Sequence, residues 1–280
     1  MRCFVKPSTL LKILGWAKPM KHDFDLIVRN FPQQQDLHLY FIADVHLGAK
    51  EQMEREWAEF CEFVLTDPNA YLILGGDLIN NGTRNSVSGP FEDTLRPREQ
   101  KIKMAEMLSP LSKRILCAVS GNHEFRSGKD ADDDPVYDIL CKLNLEEVYR
   151  ENIAFLKIQL GKGRNIQHRN PTYTLVVTHG AGGGIWTGAA VNRNERFGYT
   201  IDGADALLVA HTHKPYVAQP GKIYIDKQNN LVSIKPFKII VATSWLNYGG
   251  YAARYQLLPA SHALQQITLH GSKKQIDVTM

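Results

Sequence analysis

Five short stretches of this 280-residue chain carry metal-ligand residue types, and each follows an apolar run. They are Asp44-Val45-His46, Gly75-Gly76-Asp77, Gly121-Asn122-His123-Glu124, Thr178-His179-Gly180 and His211-Thr212-His213. Imidazole, carboxylate and amide oxygen without thiolate form a donor set for divalent transition metals. A single aspartate in such a place often does no more than cap a turn. Here five of the ten histidines (His46, His123, His179, His211 and His213) sit just beyond apolar segments, and His22, His38, His168, His262 and His270 do not. Gathering so many polar groups at one rim costs free energy unless a ligand neutralises them. The inventory also exceeds what one ion needs, so it fits two cations roughly 3.5–4 Å apart, bridged by a shared carboxylate. Such a pair lowers the pKa of a shared water and neutralises phosphoryl oxygens, which is the chemistry of phosphate-ester hydrolysis.

The elements that carry these residues follow from the pattern. Residues 37–43 form an apolar, aromatic run that reads as a buried strand and delivers Asp44 and His46 into a loop. Residues 51–66 form a helix, with Met53, Trp57, Phe60, Cys61, Val64 and Leu65 on one stripe. The run 71–74 is a strand that stops at two glycines and lifts Asp77 to the sheet rim, where open α/β folds keep their chemistry. A polar loop spans 80–98, and Pro97 opens a helix to about Leu108. Strands are expected at 115–119, 153–160, 173–178 and 206–210, a helix at 135–143, an acidic loop at 130–134 and a basic turn at 161–170. Beyond His213 the pattern predicts a hairpin of 222–226 with 231–234, strands at 239–243 and 252–258, and two last strands around Gly271-Ser272. Residues 1–35 form an extension of unread role, with 24–31 as a strand or short helix. Neither a repeat nor a linker divides the chain, so 1–280 reads as a single domain.

Composition narrows the setting. The formal net charge of +4 suits an anionic substrate but falls short of the basic stripe of a dedicated nucleic-acid binder. Cys3, Cys61, Cys117 and Cys141 are scattered without a Cys-x-x-Cys, which predicts reduced thiols and a cytoplasmic protein. No apolar run reaches the roughly 18 residues of a membrane span. The run 10–17 is short and broken by Lys12, so it does not read as a leader.

Taken in order, Asp44-x-His46, Gly76-Asp77, Gly121-Asn122-His123-Glu124, His179 and His211-x-His213 resemble the motif series of the calcineurin-like metallophosphoesterase superfamily, over residues 44–213. The resemblance implies a four-layer α/β/β/α sandwich with two mixed β-sheets, with residues 214–280 completing the second sheet. Carried over by motif, Asp44, His46 and His213 would bind one metal ion, Asn122, His179 and His211 a second, and Asp77 both. His123 would act as general acid or electrostatic partner of the leaving oxygen. The implied cofactors are two divalent ions, Mn²⁺ foremost in an assay, with Fe, Zn²⁺ or Ni²⁺ also admitted by the ligand set.

Two departures from the family pattern stand out. Ala210 replaces the usual glycine before His211, and is small enough to keep the turn. Asn80-Asn81-Gly82 stands where serine/threonine phosphatases of the family carry Asp-Arg-Gly, so the arginine that clamps their phosphate is absent. Arg126, Asn81 and Glu124 are the candidate substrate contacts. Glu124 reads either as a carboxylate orienting His123 or as an exposed loop acid. Arg84, Arg193 and Arg196 read as solvated, and the Gly180–Gly184 stretch and Trp186 as weaker candidates for phosphate and base. The expected activity is hydrolysis of phosphodiesters, of nucleic acid or nucleotides, by a dinuclear-metal-activated hydroxide. Alternatives are a DNA nuclease resembling the SbcD/Mre11 branch and a non-catalytic scaffold on the same fold. The nuclease branch usually adds a DNA-capping segment after the last motif, which the strand-like residues 214–280 do not suggest.

Overall fold

Apolar runs of four to eight residues are too short for core helices, and here they pair into two six-stranded sheets. The computed structural model describes residues 23–280 apart from 34, 85, 87–90 and 162–169. The run 10–17, Cys3, His22, His168, Ser88-Gly89-Pro90 and most of the turn expected at 161–170 lie outside the described residues. In chain order the strands are β1 (Ile27–Phe31), β2 (Leu37–Ile42), β3 (Ala70–Leu74), β4 (Ile115–Val119), β5 (Tyr149–Arg150), β6 (Ile153–Leu160) and β7 (Thr172–Thr178). There follow β8 (Ala206–Val209), β9 (Tyr216–Ala218), β10 (Gly221–Asp226), β11 (Leu231–Pro236), β12 (Lys238–Val241), β13 (Gln266–Leu269) and β14 (Ile276–Thr279). The helices are α1 (Glu54–Thr66), α2 (Pro97–Leu108), α3 (Glu124–Ala131), α4 (Pro135–Lys142), α5 (Thr187–Tyr199) and α6 (Gly250–Arg254).

The first sheet runs β14-β13-β2-β3-β4-β5, with β2 to β5 parallel and β13 antiparallel to β2. The second runs β1-β6-β7-β8-β12-β9, with β7, β8 and β12 parallel, β6 antiparallel to β7 and β9 antiparallel to β12. Between the sheets lies a core that includes Leu39, Phe41, Ile73, Cys117, Leu156, Leu175, Leu208 and Ile240. The outer face of the first sheet is covered by α1, α2 and α4, through Trp57, Phe60, Met104, Leu108, Ile139 and Leu140. On the outer face of the second sheet α5 approaches so closely that a Cβ at Gly198 would meet the Phe237 ring at 2.6 Å. The layers are therefore α/β/β/α. In α1 the buried residues Trp57, Phe60, Cys61 and Val64 recur at three, four and seven. Burying each large side chain of such a stripe contributes roughly 1.5–3 kcal/mol.

The C-terminal region differs from expectation. Strands β9 and β12 complete the second sheet, but β13 and β14 extend the first, and β10–β11 form a separate two-stranded ribbon. Residues 252–258 are not a strand: Gly250–Arg254 is the short helix α6, and the following residues run as exposed coil. Alanines favour a helical turn there. Helices α3 and α5 carry no large apolar stripe, because α5 buries only Ala190, Asn194 and Gly198, so periodicity does not reveal them. At the other end, β1 covers an edge of the second sheet, paired in parallel with β6.

Candidate metal centre

Each motif residue lies just past the C-terminal end of a parallel strand: Asp44 after β2, Asp77 after β3, Asn122 after β4, His179 after β7 and His211 after β8. The two sheets present these ends along one rim, so ligands from both converge. Hydrogen bonds to backbone carbonyls close the rim across the sheets. The Trp245 N–H donates to Asp44 O at 3.0 Å, and the His179 Nδ1–H donates to Gly75 O at 2.8 Å. Five of these residues hold left-handed backbone: Asp44 (φ 52°), His46 (49°), Asp77 (50°), His211 (70°) and His213 (56°). Non-glycine residues are uncommon there, and such strain collects at functional sites. Gly76 is the hinge of the arrangement. At φ 84°, a Cβ on it would lie 2.4 Å from the Gly121 nitrogen, so only glycine lets the β3 and β4 turns touch. Ala210 keeps its turn, its N–H donating to His179 O at 2.9 Å.

Two ligand groups meet at Asp77. In the first, Asp44 Oδ1 lies 3.2 Å from His213 Nε2, and the His46 and His213 Nε2 atoms are 3.2 Å apart. In the second, His179 Nε2 lies 3.3 Å from Asp77 Oδ2 and 3.0 Å from Asn122 Oδ1, and His211 Nδ1 lies 2.6 Å from the same amide oxygen. The ligand atoms of Asp44, His46 and His213, and those of Asp44, Asp77 and His179, each fall within 4.8 Å of one another.

The donor chemistry fits a pair of cations. His179 spends its Nδ1–H on Gly75 O, so its Nε2 lone pair faces two oxygen acceptors, Asp77 Oδ2 and Asn122 Oδ1. Only a proton or a cation reconciles three acceptors so close together. Asp44 Oδ1 and His46 Nδ1 are buried without hydrogen-bond partners, while Asp44 Oδ2 accepts the His211 N–H at 3.0 Å. Burial, then the neighbouring His123, holds His46 well below the ordinary imidazole value, which keeps it neutral. Burial alone would lower His179, but the Asp77 carboxylate raises it to about 10. Asp77 is itself held well below the carboxylate range, because His179 and His123 outweigh its burial.

His123 lies beside the ligands, with Nε2 3.8 Å from Asp77 Oδ2. Its Nδ1–H donates to Asn80 O at 2.8 Å, so Nε2 is the working atom, and Arg126 Nη2 donates to it at 2.9 Å. Burial first, then Arg126, lower its affinity for a proton against the pull of Asp77. Both His123 and Arg126 line a cavity of about 750 Å³ above the centre.

Two of the expected substrate contacts are buried against backbone. Glu124 is 1% exposed, and its carboxylate meets backbone N–H groups. Its Oε2 accepts the Asp77 and Gly121 N–H groups at 2.8 and 3.0 Å, and its Oε1 accepts those of Leu78 and Ile79 at 2.8 and 3.3 Å. Burial and the adjacent Asp77 push its carboxyl up to about 7, against the pull of these donors. Asn81 is fully buried and donates from Nδ2 to His123 O at 2.7 Å and Ser127 Oγ at 2.9 Å. Arg193 is not simply solvated: its guanidinium donates to Ala181 O and Gly183 O and braces the glycine-rich loop. Trp186 is 72% exposed at the start of α5.

Sequence reading missed other supports. The Gln100 side chain, fully buried in α2, accepts the Asn81 N–H and donates to Asp93, which in turn accepts from Asn80 and Gly82. A polar residue four and eight positions before Met104 and Leu108 on a core-facing stripe was the available signal. Lys214, next to the last ligand, donates from Nζ to Gly184 O and Ile185 O.

The family model for calcineurin-like phosphoesterases matches residues 37–215, more than half of the chain. The small subunit of DNA polymerase II from Archaeoglobus fulgidus is 26% identical over 159 residues, 49% of this chain and 32% of that protein. The match thus spans about a third of that relative's length. A metallophosphoesterase from Sphaerobacter thermophilus aligns at 16% identity with a TM-score of 0.36, covering 86% of this chain and 87% of its own. A conserved Streptococcus pneumoniae TIGR4 protein described as a predicted phosphoesterase aligns at 14% identity with a TM-score of 0.34, covering 87% and 88%.

Proposed function

Because the chain belongs to the calcineurin-like phosphoesterase family, we propose that it hydrolyses phosphodiesters of nucleic acid or nucleotides at a centre for two divalent cations. The observation behind this reading is the convergence of imidazole and carboxylate ligand atoms on Asp77 from both sheets. In it, Asp44, His46 and His213 hold one ion, Asn122, His179 and His211 the other, and Asp77 both. Ions bound there, Mn²⁺ in the first assay and Fe, Zn²⁺ or Ni²⁺ as alternatives, supply an activated water and charge neutralisation of the phosphoryl oxygens.

The protein's own groups do the rest. Once Arg126 leaves Nε2, His123 takes up a proton there from water and hands it to the leaving oxygen. Arg126, now on that nitrogen, turns to a phosphoryl oxygen, which its planar fork suits. Asn81, where protein phosphatases of the family carry arginine, has its amide committed to His123 O and Ser127, so a phosphoprotein is not the substrate in this reading.

The relative named as a DNA polymerase subunit supports a nucleic-acid setting and keeps an SbcD/Mre11-like nuclease as the second reading. A catalytically dead scaffold is the third, and retention of every motif ligand weighs against it. This reading takes the chain as one domain, since segments before and after the motifs both supply strands to the sheets. It also takes the setting as cytoplasmic, in line with free Cys61, Cys117 and Cys141. No helix among the described residues is long and apolar enough to cross a membrane.

The test is hydrolysis of bis-p-nitrophenyl phosphate with Mn²⁺. Asp77→Asn and His123→Ala are each expected to lose about 100-fold or more in kcat, and full activity in either sinks the mechanism. Absence of bound metal and of Mn²⁺ dependence would favour the scaffold. Faster degradation of linear DNA than of cyclic nucleotides would favour the nuclease.

A further inference from the structure

The cavity above the metal centre has a second wall that phosphoryl chemistry does not need. It is built by the segment between β12 and β13, where the sequence suggests one more strand. That segment starts anchored on the ligand loops: Trp245 N–H donates to Asp44 O at 3.0 Å, Met53 N–H to Trp245 O at 2.8 Å and Asn247 N–H to Glu51 O at 2.8 Å. Tyr248 follows, and its hydroxyl donates to Leu257 O at 2.9 Å. The ring is thus tied at its far end, yet the residue stays 53% exposed while lining the cavity. Leu246 and Leu258 flank it, and Ile185 contributes from the glycine-rich loop that Lys214 secures. His262 completes the wall. Its Nδ1 meets Ser244 O at 2.9 Å and its ring lies 4.8 Å from that of Trp245, so Nε2 is the polar atom left for a ligand.

Half-exposed aromatic and aliphatic side chains rimming a cavity that also holds a few polar groups mark a ligand site. The volume of about 750 Å³ suits a small molecule or a chain end. A purely aliphatic group would leave His262 Nε2 unpaired beside it, at a cost in free energy. A nucleoside offers a flat face for the Tyr248 ring and a polar edge for that nitrogen. Resting on the phosphodiesterase reading above, we propose that this wall is a nucleoside subsite for a small or single-stranded phosphodiester, with Tyr248 as its stacking platform.

The experiment compares thymidine 5′-(p-nitrophenyl phosphate) with methyl p-nitrophenyl phosphate, using the Mn²⁺-loaded full chain and its Tyr248→Ala variant. The wild type is expected to favour the nucleoside ester at least about tenfold in kcat/KM, and the variant to lose about tenfold of that preference, as removal of a base-stacking ring does. Hydrolysis of the methyl ester should stay within about twofold, since Tyr248 lies outside the catalytic machinery. A wild type without preference, or a variant that keeps it, overturns the subsite while leaving the phosphodiesterase reading intact. Calorimetric binding of thymidine 5′-monophosphate decides the subsite even if neither ester is cleaved, the result that would remove the phosphodiesterase reading. Binding about tenfold weaker in Tyr248→Ala supports the subsite, and equal or undetectable binding in both proteins overturns it.

Discussion

Replacing Gly76 by alanine tests whether the metal centre depends on two loops touching. The residue sits at φ 84°, and its added Cβ would lie 2.4 Å from Gly121 N, 2.6 Å from Ser120 C and 2.7 Å from Gly121 Cα. All three are backbone atoms, so no side chain can swing aside. Left-handed strain on an L-residue costs about 1–2 kcal/mol, and overpacking of this kind typically another 1–3 kcal/mol. Relief requires the β3 and β4 turns to part by about 1 Å to reach ordinary carbon contact distance. That displacement acts on Asp77 and Asn122 together, and a shift of about 1 Å can cost on the order of 100-fold in rate. At roughly 2–4 °C per kcal/mol for a chain of this size, the melting temperature of Gly76→Ala should fall by about 10 °C. Gly183→Ala is the control, because nothing lies within 4 Å of its added Cβ. Circular-dichroism melting in EDTA reads the backbone effect, and Mn²⁺ titration with bis-p-nitrophenyl phosphate turnover reads the site. A Gly76→Ala protein with wild-type melting temperature and Mn²⁺ affinity would refute the reasoning.

Further outcomes follow from the supports around the centre. Glu124→Gln must set an amide donor against two backbone donors whichever way it turns, so Mn²⁺ affinity should weaken about 10–100-fold; unchanged affinity would show that the four N–H bonds do not position Asp77. Away from the centre, His270 lies between Asp277 and Asp36, with ring nitrogens 2.7 and 2.9 Å from their carboxylates. The hydrogen bond it donates to Asp277 chiefly raises its affinity for a proton, and Asp277 is held below the usual carboxylate range by His270. The stabilisation from His270 is therefore full below its unfolded value of about 6.5 and is lost as pH rises through the raised folded value, while that from Asp277 holds above about 3.9 and is lost on acidification through its lowered value. The melting-temperature gap between wild type and His270→Gln should be widest from about pH 4 to 6.5; a gap that grows above neutral pH would contradict this assignment.

Much of this organisation is legible along the chain because local physics produced it. Apolar runs ending in Gly76-Asp77 or Asn122-His123 announce buried parallel strands and their chemical ends, and the stripe from Trp57 to Val64 announces α1. Elements without an apolar stripe are not legible: α3 and α5 bury small or polar residues, so their periodicity carries no signal. Residues 252–258 have a strand-like composition, yet the segment runs along the cavity as a helical turn and coil. Pattern alone cannot tell a strand from any other segment with apolar contacts.

The candidate site divides the same way. Residue type and order specify a set of oxygen and imidazole ligands with no thiolate, and so the family and a class of chemistry. Which of those groups face each other, and which acid merely holds the backbone, depends on contacts between residues far apart in sequence. Glu124 follows His123 directly, yet it is buried under the Asp77 turn, 47 positions away, because four N–H groups converge on it there. Asn81, Gln100 and Asp93 form another such relay. Sequence determined which groups are candidate metal ligands, because bond-forming capacity belongs to residue types. Tertiary structure alone decided that both sheets aim them at one point, since hydrogen bonding and burial act through space, without regard to separation along the chain.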